Sequence, residues 1–138
     1  MKHYLFVLGR TPKLATLELD GIVSSITRLR EDIILGESDI PALSLMQIVG
    51  GTIKISEVVY TGNLPSVLDI DAILSKEVRE NKLVFGMSTY SETQPISVQM
   101  LRVLKVGFVS RGIHTRFIQS KHDTSLSSVV IKKQKVTE

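Results

Sequence analysis

The stretch His3-Tyr4-Leu5-Phe6-Val7-Leu8-Gly9-Arg10-Thr11-Pro12 decides how the N-terminal half of the chain folds. Its first residues are aromatic or aliphatic and Gly9 stops the run, which is typical of a buried strand. Thr11-Pro12 then predicts a helix start, because threonine can cap free amides and proline at the first helical position needs no N–H partner. One face of this predicted helix carries Ala15, Leu19, Ile22, Val23 and Ile26.

Further elements follow before residue 61. Residues 29–35 predict a second strand, and the β-branched, alternating residues 52–60 predict a third. Between them, Ser38-Asp39-Ile40-Pro41 predicts a capped helix start, and Gly50-Gly51 ends that helix after Val49. The first segment therefore reads as β-α-β-α-β.

The second segment begins after a predicted joint at residues 61–65, where glycine and proline favour a turn. An amphipathic helix follows, with Val67, Ile70, Ile73, Leu74 and Val78 at helical spacing. Residues 82–88 predict a strand buried on both faces. Pro95 predicts a helix with Val98, Leu101 and Leu104 inward, closed by Gly107 or Gly112. Residues 113–119 predict another strand, and residues 126–136 fit a strand or a helix equally from their local pattern.

Composition sets the broad class. With 138 residues, of which 43% are hydrophobic, the chain can bury a core as one compact domain or two small fused lobes. Its apolar runs are shorter than the roughly 20 residues of a membrane span, so we expect no membrane association. Cysteine is absent, which excludes disulfides and thiolate chemistry and is typical of a reducing compartment. We therefore expect a cytoplasmic protein of the α+β class.

Charge is distributed unevenly along the chain. Residues 1–81 contain eight Lys/Arg and eleven Asp/Glu, a net charge of −3, whereas residues 82–138 contain nine Lys/Arg and three Asp/Glu, a net charge of +6. Clustered cations raise the local concentration of polyanions, which indicates an anionic partner for the C-terminal part. A charged surface that is simply solvated is the alternative.

Motifs that would carry catalysis are missing. Gly50-Gly51 lacks a phosphate-loop frame and precedes a strand, so we interpret it as a turn. His3, His114 and His122 have no metal-ligand spacing, and Ser127-Ser128 lies in no nucleophile-elbow frame. The sequence therefore predicts no catalytic residue and no metal site.

Four stretches, taken in order, resemble one family. They are residues 4–14 (YLFVLGRTPKL), 49–55 (VGGTIKI), 83–90 (LVFGMSTY) and 126–135 (LSSVVIKKQK). Together they resemble the N-terminal RNA-binding region of THUMP-containing tRNA methyltransferases, which methylate the exocyclic amine of a guanosine in tRNA. Each stretch alone is weakly specific, and their shared order over most of the chain carries the resemblance.

The resemblance implies a ferredoxin-like lobe over residues 1–60 and a THUMP RNA-binding domain over residues 61–138. It also implies that residues 126–136 form a helix, that the partner is tRNA, and that a methyltransferase domain acts in cis or in trans. Gln134 stands where the family usually has asparagine, and the sequence ends where the family has a closing strand. Whether the THUMP lobe lacks its last strand, and whether the chain is a fragment, a split gene product or complete, stays open.

S-adenosylmethionine is the cofactor implied for the family's separate catalytic domain. The sequence contains no Asp-Pro-Pro-Tyr or Asn-Pro-Pro-Tyr motif and no glycine-rich turn for this cofactor, so we expect none to bind this chain. The residues expected to hold RNA are Arg102, Lys105, Arg111, Arg116, Lys121, Lys132, Lys133 and Lys135. Since aromatic residues are few, we expect recognition of backbone and shape more than base stacking.

A second function fits the same fold class. A regulatory or oligomerising α+β domain would bind a small metabolite, or a copy of itself through a sheet edge, and its basic part would be only a solvated surface. Salt-sensitive tRNA binding discriminates between the two hypotheses, because metabolite binding and self-association do not depend on tRNA.

Overall fold

The computed structural model describes residues 1–90 and 98–119, and the chain divides into two compact units between Thr61 and Gly62. The first unit contains β1 (Lys2–Leu8), α1 (Pro12–Asp20), β2 (Ser24–Arg30), β3 (Ile33–Ser38), α2 (Ala42–Ile48) and β4 (Thr52–Glu57). The second contains α3 (Val67–Ser75), β5 (Lys82–Gly86), α4 (Val98–Ser110) and β6 (His114–Ile118). These elements confirm the predicted α+β class.

The first unit is built on a four-stranded antiparallel sheet in the order β2-β3-β1-β4. The apolar strand β1 lies inside this sheet, where Phe6 pairs with Ile34 of β3 and Ile55 of β4. Alternation along β1 directs Tyr4, Phe6 and Leu8 toward the helices. The core that they form also contains Ala15, Leu19, Val23, Ile34, Leu45 and Val49.

The predicted β-α-β-α-β order is wrong, because residues 29–35 belong to two strands. The predicted helical face that reached Ile26 is also wrong, because α1 ends at Asp20 and Ile26 lies in β2. β2 and β3 form a hairpin whose loop is Glu31-Asp32, so the observed order is β-α-β-β-α-β. The loop has no glycine, asparagine or proline to mark it. It is held by one tertiary and one local contact instead, since the Leu8 amide donates to the Asp32 carbonyl at 2.8 Å and Arg30 pairs with the Asp32 carboxylate at 3.2 Å.

Two predicted helix caps are also wrong. Pro12 occupies the start of α1 as expected, but the Thr11 side chain makes no capping hydrogen bond. Helix α2 begins one residue after Pro41, and Ser38 is a buried residue of β3 whose hydroxyl accepts a hydrogen bond from the Ile40 amide at 3.1 Å. Ser38 is therefore used in the turn that leaves the sheet.

In the second unit, α3 and α4 pack on one face of the parallel pair β5-β6. The buried core contains Leu74, Leu83, Phe85, Leu101, Leu104 and Phe108, with Phe117 half-buried against it. Val84 is half-buried and Lys82 exposed, so the prediction of a strand buried on both faces is wrong. β4, β5 and β6 also end before the predicted residues 60, 88 and 119.

Well-defined caps fix both helices of the second unit. Ser66 and Asp69 form a capping box at the start of α3. Helix α4 ends in a Schellman motif, in which Gly112 with φ +78° donates to the Val109 carbonyl and Ile113 donates to that of Phe108. Gly112, not Gly107, thus closes α4. The predicted helix start at Pro95 and the stretch 126–136 lie outside the described residues.

Candidate functional site

The eight cations predicted to hold RNA divide into two groups. Arg102 and Lys105 lie on α4, Arg111 follows that helix, and Arg116 lies on β6. The other four, Lys121, Lys132, Lys133 and Lys135, lie outside the described residues.

An open groove of about 640 Å³ runs between α4 and β6. It is lined by Arg102, Lys105, Val106, Val109, Ser110 and Phe117. The lining positions of α4 recur three and four residues apart and therefore form one stripe. A different stripe, which contains Leu101, Leu104 and Phe108, is buried in the core. Helix α4 is consequently apolar inside and mixed cationic and apolar outside.

Phe117 connects the core to the wall of this groove. Its ring centroid lies 6.2 Å from that of the fully buried Phe85, with the planes tilted by 50°. On its other side, Lys105 Nζ lies 5.9 Å from the Phe117 centroid, within the range of a cation–π contact. The ring is therefore held by packing and positions the Lys105 ammonium at the groove.

The groove is electropositive. None of its six lining residues is acidic, and neither Arg102 nor Lys105 forms an ion pair within residues 1–90 and 98–119. Two like charges three residues apart on a helix disfavour one another. An anion in the groove would relieve this repulsion, and the exposed side chains of Val106 and Val109 would contact apolar parts of the same ligand.

Arg111 is placed differently from Arg102 and Lys105. Its Nη2 lies 2.6 Å from Asp71 Oδ2 on α3, and its guanidinium carbon lies 4.4 Å from the Phe108 ring centroid. Its Nε also donates to the Gly107 carbonyl at 3.1 Å. These contacts join α3 to the end of α4, so Arg111 primarily serves the fold.

Arg116 lies on the other side of the sheet. Side chains alternate along a strand, and its neighbour Phe117 points toward α4. Arg116 is exposed and pairs in register with Val84 of β5. The fold therefore does not bring the four described cations onto one surface.

The Gly50-Gly51 turn binds a carboxylate of this chain. The Gly50 and Gly51 amides donate to Glu18 Oε1 and Oε2 at 2.8 and 2.9 Å. Those hydrogen bonds, the one from Gly50 being the stronger cause, hold the pKa of the Glu18 carboxyl below its ordinary value of 4.5. The turn thus ties α1 to the start of β4 and uses both amides in the fold.

A second groove, of about 600 Å³, lies in the first unit at the start of α1. Its lining is Thr11, Pro12, Lys13, Leu14, Arg28 and Glu31. Arg28 is already bound there, since it donates to Thr16 Oγ1 at 2.7 Å and to the Glu31 carbonyl. With Arg28 engaged and the Glu31 carboxylate beside Lys13 in its lining, this groove is the weaker candidate for an anion.

Phe117, Val106 and Val109 are site residues that the sequence reasoning missed. The signal was present in α4, where Arg102, Lys105, Val106 and Val109 share one helical stripe beside the core stripe. Phe117 gave no such signal, because β6 alone does not reveal which helix its side chain faces.

Within the described ranges, no three His, Asp or Glu side chains are grouped so that they could hold a metal ion. The helices in those ranges are too short or too polar to cross a bilayer. Comparison with protein-family models, curated proteins and solved structures found no match to this chain.

Proposed function

We propose that this chain is a tRNA-binding module that positions RNA for an S-adenosylmethionine-dependent guanosine methyltransferase domain acting in cis or in trans. The observation that carries the proposal is the α4–β6 groove, where Arg102 and Lys105 lie one turn apart without an acidic neighbour in the lining. RNA is a dense polyanion that proteins grip mainly through phosphates and 2′-hydroxyls.

The topology of the first unit supports the same proposal. A β-α-β-β-α-β order with β1 and β3 central is the split arrangement of a ferredoxin-like lobe, which the sequence resemblance implies for residues 1–60. In the second unit, the parallel β5-α4-β6 arrangement, with cations on the outer stripe of α4, is compatible with a small RNA-binding lobe.

Charge reversal in the groove tests the proposal. Arg102→Glu combined with Lys105→Glu should weaken binding of a tRNA transcript strongly, because two contacts to phosphates become repulsive. The matched control is Lys13→Glu with Lys76→Glu, which reverses two exposed cations outside this groove. Lys2 is unsuitable as a control, because it pairs with Glu57 at 2.9 Å and its reversal would disturb the sheet edge.

Salt dependence gives the second measurement. If about four to six phosphates are neutralised, the logarithm of affinity should fall with the logarithm of salt at a slope of roughly −3 to −5. The triple change of Lys132, Lys133 and Lys135 to glutamate should also remove most tRNA binding. Absence of tRNA binding at low salt in a folded sample, or equal losses in the groove and control variants, would favour the regulatory or oligomerising domain instead.

A further inference from the structure

The sheet face opposite α3 and α4 carries a second group of basic side chains. Lys82 and His114 are direct register partners at the start of β5 and β6, and Arg116 lies two residues beyond His114. All three side chains are exposed. They share one face because Leu83, Phe85 and Phe117, at the alternating positions, pack toward the helices.

We propose that this face, formed by Lys82, His114 and Arg116 and here called the β5–β6 basic face, is a second binding surface for the phosphodiester backbone of RNA. The inference rests on the proposed function and extends it, since Lys82 and His114 belong to neither the predicted RNA-binding set nor the α4–β6 groove.

Geometry groups the three side chains closely. Neighbouring strands lie about 4.8 Å apart, and residues two apart along a strand are about 6.6 Å apart. Neither β5, with the sequence KLVFG, nor β6, with HTRFI, contains an acidic residue. Within the described part of the chain, Lys82 forms no ion pair. The exposed ammonium of Lys82 can therefore contact an anionic ligand directly.

The backbone beneath the β5–β6 basic face is held firmly in place. Asn81 Nδ2 donates to the Gly112 carbonyl at 2.8 Å, and the His114 amide donates to the Asn81 carbonyl at 2.9 Å. Glu80 and Asn81 adopt φ of 50° and 60° in the tight turn that closes between Arg79 and Lys82. Lys82 and His114 are thereby fixed side by side, so binding would not have to order their backbone.

RNA fits this face better than an acidic protein segment does. The face combines the cations Lys82 and Arg116 and the imidazole of His114 with little apolar surface, since Val84 and Ile118 on the same side are only half-exposed. Phosphate contacts in protein–nucleic acid complexes come from such cations with no need for an apolar pocket.

The test compares three double variants for binding to a tRNA transcript across a salt series. Lys82→Glu with Arg116→Glu, the variant of the β5–β6 basic face, should weaken binding and reduce the magnitude of the salt slope by roughly 1.5 to 2, about one for each lost contact. Lys13→Glu with Lys76→Glu should leave the salt slope unchanged. The groove variant, Arg102→Glu with Lys105→Glu, shows how large a change two lost phosphate contacts cause. Lys82→Gln with Arg116→Gln repeats the measurement if the glutamate variant does not fold, as judged by circular dichroism and thermal melting.

The outcomes separate the inference from the proposed function. Wild-type protein that fails to bind tRNA at low salt overturns both. Wild-type binding with a β5–β6 variant that matches the control overturns the basic face alone and leaves the groove intact. If polyglutamate competes for the protein as effectively as tRNA does, recognition of phosphodiesters is overturned. An acidic protein segment would then be the partner of this face. A salt slope that is reduced in the β5–β6 variant and unchanged in the control variant supports the inference.

Discussion

The two units use charged residues in different ways. In the first unit, four basic groups pair with acidic partners of the same unit: the Met1 amine with Asp39, Lys2 with Glu57, His3 with Glu37 and Arg30 with Asp32. In the second unit, Arg111 is matched by Asp71, whereas Lys82, Arg102 and Lys105 have no ionic partner in the described ranges. Ion pairs therefore engage several basic groups of the first unit, whereas Lys82, Arg102 and Lys105 of the second unit are accessible to a ligand.

Replacing a glycine should give the largest effects on stability, and the physical cause differs between the two units. A Cβ at Gly51 would lie 2.6 Å from Ala15 Cβ and 2.9 Å from its Cα, so Gly51→Ala should cost about 1–3 kcal/mol of unfolding free energy through overpacking. Gly112 has φ +78° and no described atom within 4 Å of its would-be Cβ, so Gly112→Ala should cost about 1–2 kcal/mol through backbone strain alone. Urea denaturation measures both.

Substitution by asparagine distinguishes overpacking at Gly51 from backbone strain at Gly112. Gly112→Asn should be milder than Gly112→Ala because asparagine tolerates the left-handed conformation, whereas Gly51→Asn should be as harmful as Gly51→Ala. Gly50→Ala is the matched control, since its Cβ would make an ordinary 3.5 Å contact with Glu18. A Gly51→Ala protein as stable as Gly50→Ala would contradict the close packing of α1 on this turn.

Glu18→Gln tests whether charge in the first unit serves folding. The carboxylate binds two amides, so its neutralisation should lower the melting temperature at pH 7. Because the folded pKa is lowered, this stabilisation is complete above the ordinary value of 4.5 and is lost as the pH falls through the lower folded value. Wild-type and Glu18→Gln melting temperatures should therefore converge in acid. A constant difference between pH 7 and pH 2 would count against the amide–carboxylate interaction.

Arg111→Ala tests whether every cation of the second unit is available to RNA. Loss of the contacts with Asp71 and Phe108 should lower stability by about 1 kcal/mol, while tRNA affinity stays within about twofold. Arg102→Ala should show the opposite pattern, with little change in stability and a clear loss of affinity. A double-mutant cycle with Asp71→Asn isolates the ion pair. Lost RNA binding in an Arg111→Ala protein of unchanged stability would place Arg111 in the interface.

Thr52→Val should have the smallest effect and the opposite sign. Thr52 is 5% exposed, and its Oγ1 has no hydrogen-bond partner among the described residues. Replacing the hydroxyl by a methyl group removes the cost of an unpaired buried polar atom, so stability should rise by up to about 1 kcal/mol. Thr52→Ser keeps the hydroxyl and serves as the control. A lower melting temperature for Thr52→Val would indicate that the hydroxyl is paired.

Local sequence patterns predicted much of the fold. β1, α1 and α3 followed from apolar spacing and from Pro12, since these signals act within a few residues. The β2–β3 hairpin did not, because its Glu31-Asp32 loop has no glycine, asparagine or proline and is held by a hydrogen bond from the distant Leu8 amide. The expected caps also failed, because the Thr11 side chain makes no capping hydrogen bond and the Ser38 hydroxyl accepts from the Ile40 amide instead of capping α2.

The sequence by itself determined the α+β class, the main apolar stripes and the concentration of positive charge after residue 81. Only the tertiary structure decided where those charges lie. It places Arg102 and Lys105 beside Phe117, commits Arg111 to Asp71 and puts Arg116 on the opposite face with Lys82 and His114. The physical reason is that a charge pattern gives the number of cations along a chain, whereas their shared surface depends on how a helix packs on a sheet and which face each strand residue takes.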